Sequence, residues 1–126
     1  MVRRFALVIA ILTAALQAEA ARAQTLPCPV CRAFVAFPTC DDAAVANPPR
    51  DAIGLVGTVV DADASTACGR ALRVDVIHSS QASLPQRIAI DLGPCVSWPG
   101  PPGGTIRVMV DARPSEDGFY RLRACK

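Results

Sequence analysis

The sequence predicts an all-β fold: a small closed or nearly closed barrel of five strands, tied down by disulfides. Three observations predict it. Five segments of the 126-residue chain alternate apolar and polar side chains with period two, separated by clusters of glycine, proline, serine and aspartate. No long helical pattern accompanies them, and a sandwich usually takes about seven strands. Six cysteines stand in a chain that opens like an exported precursor.

The opening is read as a signal peptide over residues 1–23. Met1-Val2-Arg3-Arg4 is basic, residues 5–16 are apolar, and Ala21-Arg22-Ala23 gives the small-x-small pattern of a cleavage site, with Ala18-Glu19-Ala20 as a second choice. The apolar run falls short of the roughly 20 residues that span a bilayer, so no membrane span is expected. Three of the 13 basic residues (Arg3, Arg4, Arg22) and one of the 11 acidic ones (Glu19) lie in this leader, so the remainder is net neutral. A neutral domain offers no electrostatic footprint for nucleic acid. One domain, residues 24–126, secreted or periplasmic, is the expected product.

Along that domain the compact segment 28–40 carries Val30, Phe34, Val35 and Phe37 among three cysteines. Asp41-Asp42-Ala43-Ala44-Val45-Ala46 fits one helical turn with an acidic start, stopped by Asn47-Pro48-Pro49. The first strand is predicted over residues 53–61, where two glycines mark a bulge or bend. The second, residues 71–77, sets Leu72, Val74 and Val76 against Arg73 and Asp75. The third, 87–92, points Ile88, Ile90 and Leu92 inward. The fourth, 105–111, sets Ile106, Val108 and Val110 against Arg107, Met109 and Asp111. The fifth, 119–125, sets Tyr120, Leu122 and Ala124 against Arg121 and Arg123. Turns are predicted at 63–69, 79–85, 98–104 and 114–118. The alternate charges form a mixed outer face whose role is solubility and edge protection.

The cysteines are Cys28, Cys31, Cys40, Cys68, Cys95 and Cys125. Export favours their pairing over a structural zinc site, and six cysteines allow 15 pairings. Cys28-Pro29-Val30-Cys31 has the C-x-x-C form of thiol–disulfide oxidoreductases. That chemistry needs the first thiol at a helix N-terminus behind a strand, and the predicted mature chain leaves no room for one. A haem attachment needs His after the second cysteine, where Arg32 stands. His78, the sole histidine, lies at a strand end without a nucleophile motif. Asp61-Ala62-Asp63-Ala64-Ser65 begins like a calcium loop, but Thr66 occupies the glycine position and Leu72 that of the bidentate glutamate. No catalytic residue, metal or cofactor is therefore expected. Trp98, the only tryptophan, opens the Pro/Gly loop, where it either covers a barrel end or binds a partner.

Several of these features resemble the netrin-like domains, and above all the inhibitory domain of the tissue inhibitors of metalloproteinases. Cys28, Cys31 and Cys40 match the clustered opening cysteines with a third about a dozen residues on. Leu55-Val56-Gly57-Thr58-Val59 looks like the F-x-G-x-V strand, and Gly93-Pro94-Cys95 like the V-C-G segment. Asp117-Gly118-Phe119-Tyr120-Arg121-Leu122-Arg123-Ala124-Cys125 is similar to the closing D-G-x-L-x-x-x-x-C. The resemblance implies a five-stranded OB-type barrel with its N-terminal segment stapled across the surface. It implies bridges Cys28–Cys95 and Cys31–Cys125, leaving Cys40 with Cys68. It also implies a protein partner, a protease among the candidates. Such inhibitors hold the protease zinc through a free N-terminal cysteine amine; here Gln24-Thr25-Leu26-Pro27 would precede Cys28, and a peptide nitrogen cannot replace that amine. The expectation is thus a non-enzymatic protein-binding module. It would contact its partner through Cys28, Pro29, Val30, Cys31, Arg32 and Phe34, with Ala33 between them and Trp98 nearby. A thiol–disulfide oxidoreductase using Cys28 and Cys31 is the alternative.

Overall fold

The computed structural model describes residues 28–125; the predicted leader, the tail that follows it through Pro27, and Lys126 lie outside the described residues. One short helix, α1 (Asp42–Ala46), precedes five strands: β1 (Ala52–Thr66), β2 (Gly69–Ser79), β3 (Arg87–Gly93), β4 (Thr105–Asp111) and β5 (Phe119–Arg123). The strands form one sheet that closes on itself in the order β1-β2-β3-β5-β4. All neighbours run antiparallel except β3 and β5, which pair in parallel through Ala89–Phe119, Ile90–Tyr120 and Asp91–Arg121. Among the described residues no helix is long and apolar enough to cross a membrane.

The alternation read from the sequence does the packing. Leu72, Val74, Ile88, Ile90, Leu92, Ile106, Val108 and Val110 meet Ile53, Leu55 and Val59 inside the ring, and none is more than 6% exposed. Val76, Tyr120 and Leu122 are half-buried at its margin. Ala124, expected inward, is exposed because β5 ends at Arg123. The first turn is also shorter than expected: β1 continues through Thr66, β2 begins at Gly69, and only Ala67 and Cys68 turn the chain. Residues 61–66 are strand because β2 pairs with them, in a register broken at Val59/Asp61 and Asp61/Ala64. A further shift falls at Val56/Gly57, where the sequence predicted a bulge.

A second, smaller core lies on the outside of the ring. Met109, predicted to face solvent, is 3% exposed and packs with Cys40, Val45 and Ala52. The reason is α1. Asp41 caps it, its carboxylate accepting from the Ala44 amide at 2.7 Å, and Val45 is its buried residue. Gly54 lets the helix approach β1, since a Cβ there would run into the Val45 backbone. An outward-pointing methionine is thereby covered.

Residues 35–40 complete the closure. Val35 bridges Val96 in parallel, the Val35 amide donates to the Cys95 carbonyl at 2.9 Å, and the Cys40 amide donates to the Arg107 carbonyl at 2.8 Å. This segment lines the stretch of β4 ahead of Met109 that β5 does not reach, because β5 pairs only with Met109 and Val110.

Candidate functional site

The site predicted from sequence is a ridge, residues 28–34, that precedes this closing segment. All six cysteines are paired, as the sequence predicted, but the partners differ from those that the family resemblance implied. Cys28 bonds Cys68, Cys31 bonds Cys95, and Cys40 bonds Cys125. The topology explains the correction. Cys68 sits in the tight β1–β2 turn, with its Cα 5.1 Å from that of Cys28. Cys95 lies just past β3, beside the Val35–Val96 bridge, and so meets Cys31 with a Cα separation of 5.2 Å. Cys125 leaves β5 next to β4 and the outer cluster, where Cys40 is buried. Conversely, the two sulfurs of the C-x-x-C motif belong to separate bridges.

Along and just beyond its two staples the ridge turns apolar groups outward. Val30 is 86% exposed, Phe34 82% and Val35 60%. Cys28, Pro29, Arg32 and Ala33 are exposed too, and Cys31 is half-buried. Arg32 is the one formal charge in the segment. Scattered apolar residues on a surface need no explanation, but three within six residues on a covalently fixed loop form a patch. Val35 was not among the predicted contact residues, although its place beside Phe34 in a cysteine-bounded run was the signal.

Trp98 takes a different position from the other predicted site residues. Its ring meets Phe37 edge-on, centroids 5.0 Å apart, and packs on the main core, while Gly100 and Gly104 approach its face closely enough that a Cβ on either would strike it. It is the lid of one end of the ring. Its indole N–H is buried without an acceptor among the described residues. Trp98 therefore supports the root of the ridge through Phe37, and does not share the exposed surface of Val30 and Phe34.

Beside the ridge runs a groove of about 520 Å³, walled by Pro29, the Ala67–Cys68 turn, Leu92 to Pro94 and Phe119, with Asp91, Ser115, Asp117 and Arg121 at its polar margin. Asp91 is committed within the fold: its carboxylate accepts from the Gly93 amide at 2.8 Å and from the Thr66 hydroxyl at 3.3 Å. His78 is exposed near the end of β2, paired across to Val56. Asp61 and Asp63 stand on β1, where the Asp61 carboxylate accepts from the Asp63 amide and pairs with Arg73 at 3.6 Å.

The charged outer face forms as expected. Arg87 grips Asp75 with two contacts, 2.7 and 3.2 Å, Arg107 pairs with Asp42 at 3.3 Å, and Arg123 pairs with Asp51 at 2.9 Å and Asp111 at 3.5 Å. The hydrogen bonds from Arg87 hold the Asp75 carboxyl below its ordinary range, and Asp75 in turn raises the Arg87 guanidinium. Among the described residues Arg32 joins none of these pairs. Compared with family models, with curated proteins and with solved structures, the chain matches none.

Proposed function

We propose that this chain is an exported, non-enzymatic protein-binding module on an OB-type barrel of the netrin-like kind, contacting its partner through residues 28–35. The observation that carries the reading is the exposure of Val30, Phe34 and Val35 on a segment fixed by two disulfides. A loop already held in one shape loses little conformational freedom on binding, so its apolar area converts into affinity more fully than that of a loose loop. Phe and Arg are residue types that interfaces favour, and Phe34 and Arg32 supply both here. The place of β5 between β3 and β4 supports a Greek-key closure of the OB type. Three bridges fit an oxidising compartment, in keeping with the predicted leader.

The oxidoreductase alternative draws no support from the bonding. A C-x-x-C dithiol works by closing between its own sulfurs, whereas Cys28 and Cys31 are each bonded elsewhere. Inhibition of a metalloprotease is a special case of the binding reading that needs Cys28 to be N-terminal. Sequencing the N-terminus of the exported protein decides it, since only a start at Cys28 provides the amine.

Pull-down from periplasm or culture fluid tests the module itself. Wild type is expected to retain a protein that the Arg32→Glu/Phe34→Ala variant loses. Equal recovery of every protein by both would remove the ridge from the interface.

A further inference from the structure

We propose that the Cys28–Cys68 bridge is a redox latch: a small dithiol opens it ahead of the other two bridges and so frees the head of the ridge while the closed sheet stays folded. The inference rests on the binding reading only for what the freed ridge would do; the order of opening stands on the bridges themselves.

The three bridges differ in access and in what they hold. Cys28 is exposed and its partner Cys68 is half-buried in the two-residue turn at the tip of the β1–β2 hairpin, so a reductant approaches this bridge from the Cys28 side. Cys31 and Cys95 are both half-buried, next to the Val35–Val96 bridge. Cys40 is 3% exposed and belongs to the outer core with Val45, Ala52 and Met109. The latch also spans the shortest separation, 40 residues against 64 and 85, and so constrains the unfolded chain least. Opening it removes no strand pairing: β1 and β2 remain joined from Leu55–Ser79 to Thr66–Gly69, and residues 31–40 remain tied at Cys31, Val35 and Cys40. Among the described residues, 28–30 alone lose their anchor. Pro29, one wall of the neighbouring groove, moves with them.

The chemistry balances with a dithiol as the named reductant. One of its thiolates attacks the Cys28 sulfur, the bridge breaks, and Cys68 leaves as a thiolate that takes up a proton. The second thiolate of the reductant attacks the resulting mixed disulfide, expels the Cys28 thiolate and closes the reductant's own disulfide. Two electrons pass from the dithiol to the bridge.

Exported wild-type chain, titrated with dithiothreitol, quenched in acid, alkylated and mapped by mass spectrometry, tests the order. Cys28 and Cys68 are expected to take the label about tenfold faster than any other cysteine. The singly opened species is expected to keep the native Trp98 emission, with amide exchange accelerated at Val30 and unchanged at Leu72 and Ile90. Opening of Cys31–Cys95 or Cys40–Cys125 first, or loss of all three bridges together with Trp98 emission, would overturn the latch. The Cys28→Ser/Cys68→Ser variant provides a second arm: it should form the other two bridges and give the wild-type far-ultraviolet circular dichroism spectrum, and an unfolded variant would sink the proposal. If Phe34→Ala leaves partner recovery unchanged, the binding reading fails while the order of alkylation still decides the latch.

Discussion

The ring of strands and the ridge beside it are ordered by different physics. Inside the ring, Leu55, Leu72, Val74, Ile90, Val108 and Val110 are fully excluded from water, and burial of their apolar area is what the fold gains. On the ridge, Val30 and Phe34 remain more than four-fifths exposed, so burial contributes almost nothing there. Residues 28–34 are instead held by two covalent bonds, with the Val35 amide hydrogen bond at their base. The difference shows how a small domain keeps an apolar surface available: the side chains stay out of the core, and sulfur supplies the rigidity that packing would otherwise give.

The largest expected effect probes where that sulfur matters most. Replacing Cys40 and Cys125 together by alanine removes a cross-link over 85 residues, worth about 4.6 kcal/mol in the chain-entropy model, and also thins the outer core around Met109. Equilibrium urea denaturation of the oxidised proteins should show this loss as a lower midpoint. The same pair of changes at Cys28 and Cys68 removes a 40-residue link and no core contact, and should cost less. A reversed order would break the division between a latch on the ridge and a rivet in the core.

The next effect compares two apolar truncations directly. Leu72→Ala empties a fully buried position and should destabilise by about 2–5 kcal/mol, whereas Phe34→Ala should stay within about 0.5 kcal/mol. Both are read from the same denaturation curves. If Phe34→Ala costs as much as Leu72→Ala, the ridge is part of the core and not a free surface.

How far the sequence carries one to this picture depends on the kind of signal. Strands with one buried face declare themselves, because Ile88-Ala89-Ile90-Asp91-Leu92 and Ile106-Arg107-Val108 fit only a half-buried ladder. The far half of β1 does not: Asp61-Ala62-Asp63-Ala64-Ser65 has turn composition and is strand only because β2 lies alongside it. Met109 reads as an outer residue until α1 covers it, and that covering depends on Gly54 giving the helix room. That residues 28–40 are pinned by their cysteines was legible, since three cysteines close together in an oxidising compartment need partners elsewhere in the chain. The bridge partners were not. They depend on where the β1–β2 turn, the end of β3 and the end of β5 lie in space, which a one-dimensional spacing does not encode.

The smallest effect concerns the outer charges, and its sign follows from the direction of the shift. Arg87 holds the Asp75 carboxyl below its ordinary value, so the ionised pair favours the folded state at pH above that value, and the contribution disappears as pH falls through the lowered one. Both side chains are at least half exposed, so water and salt screen most of the attraction. Thermal melts of Asp75→Asn are therefore expected to fall only just below those of wild type at neutral pH. The gap should close as pH falls through that lowered value and narrow in high salt. A gap at neutral pH comparable to that of Leu72→Ala would mean that the β2–β3 pairing, Asp75 opposite Arg87, is fastened by charge at its rim. A negligible gap places the stability of that pairing inside the ring, with Val74 and Ile88, and leaves the arginine-rich exterior to solubility.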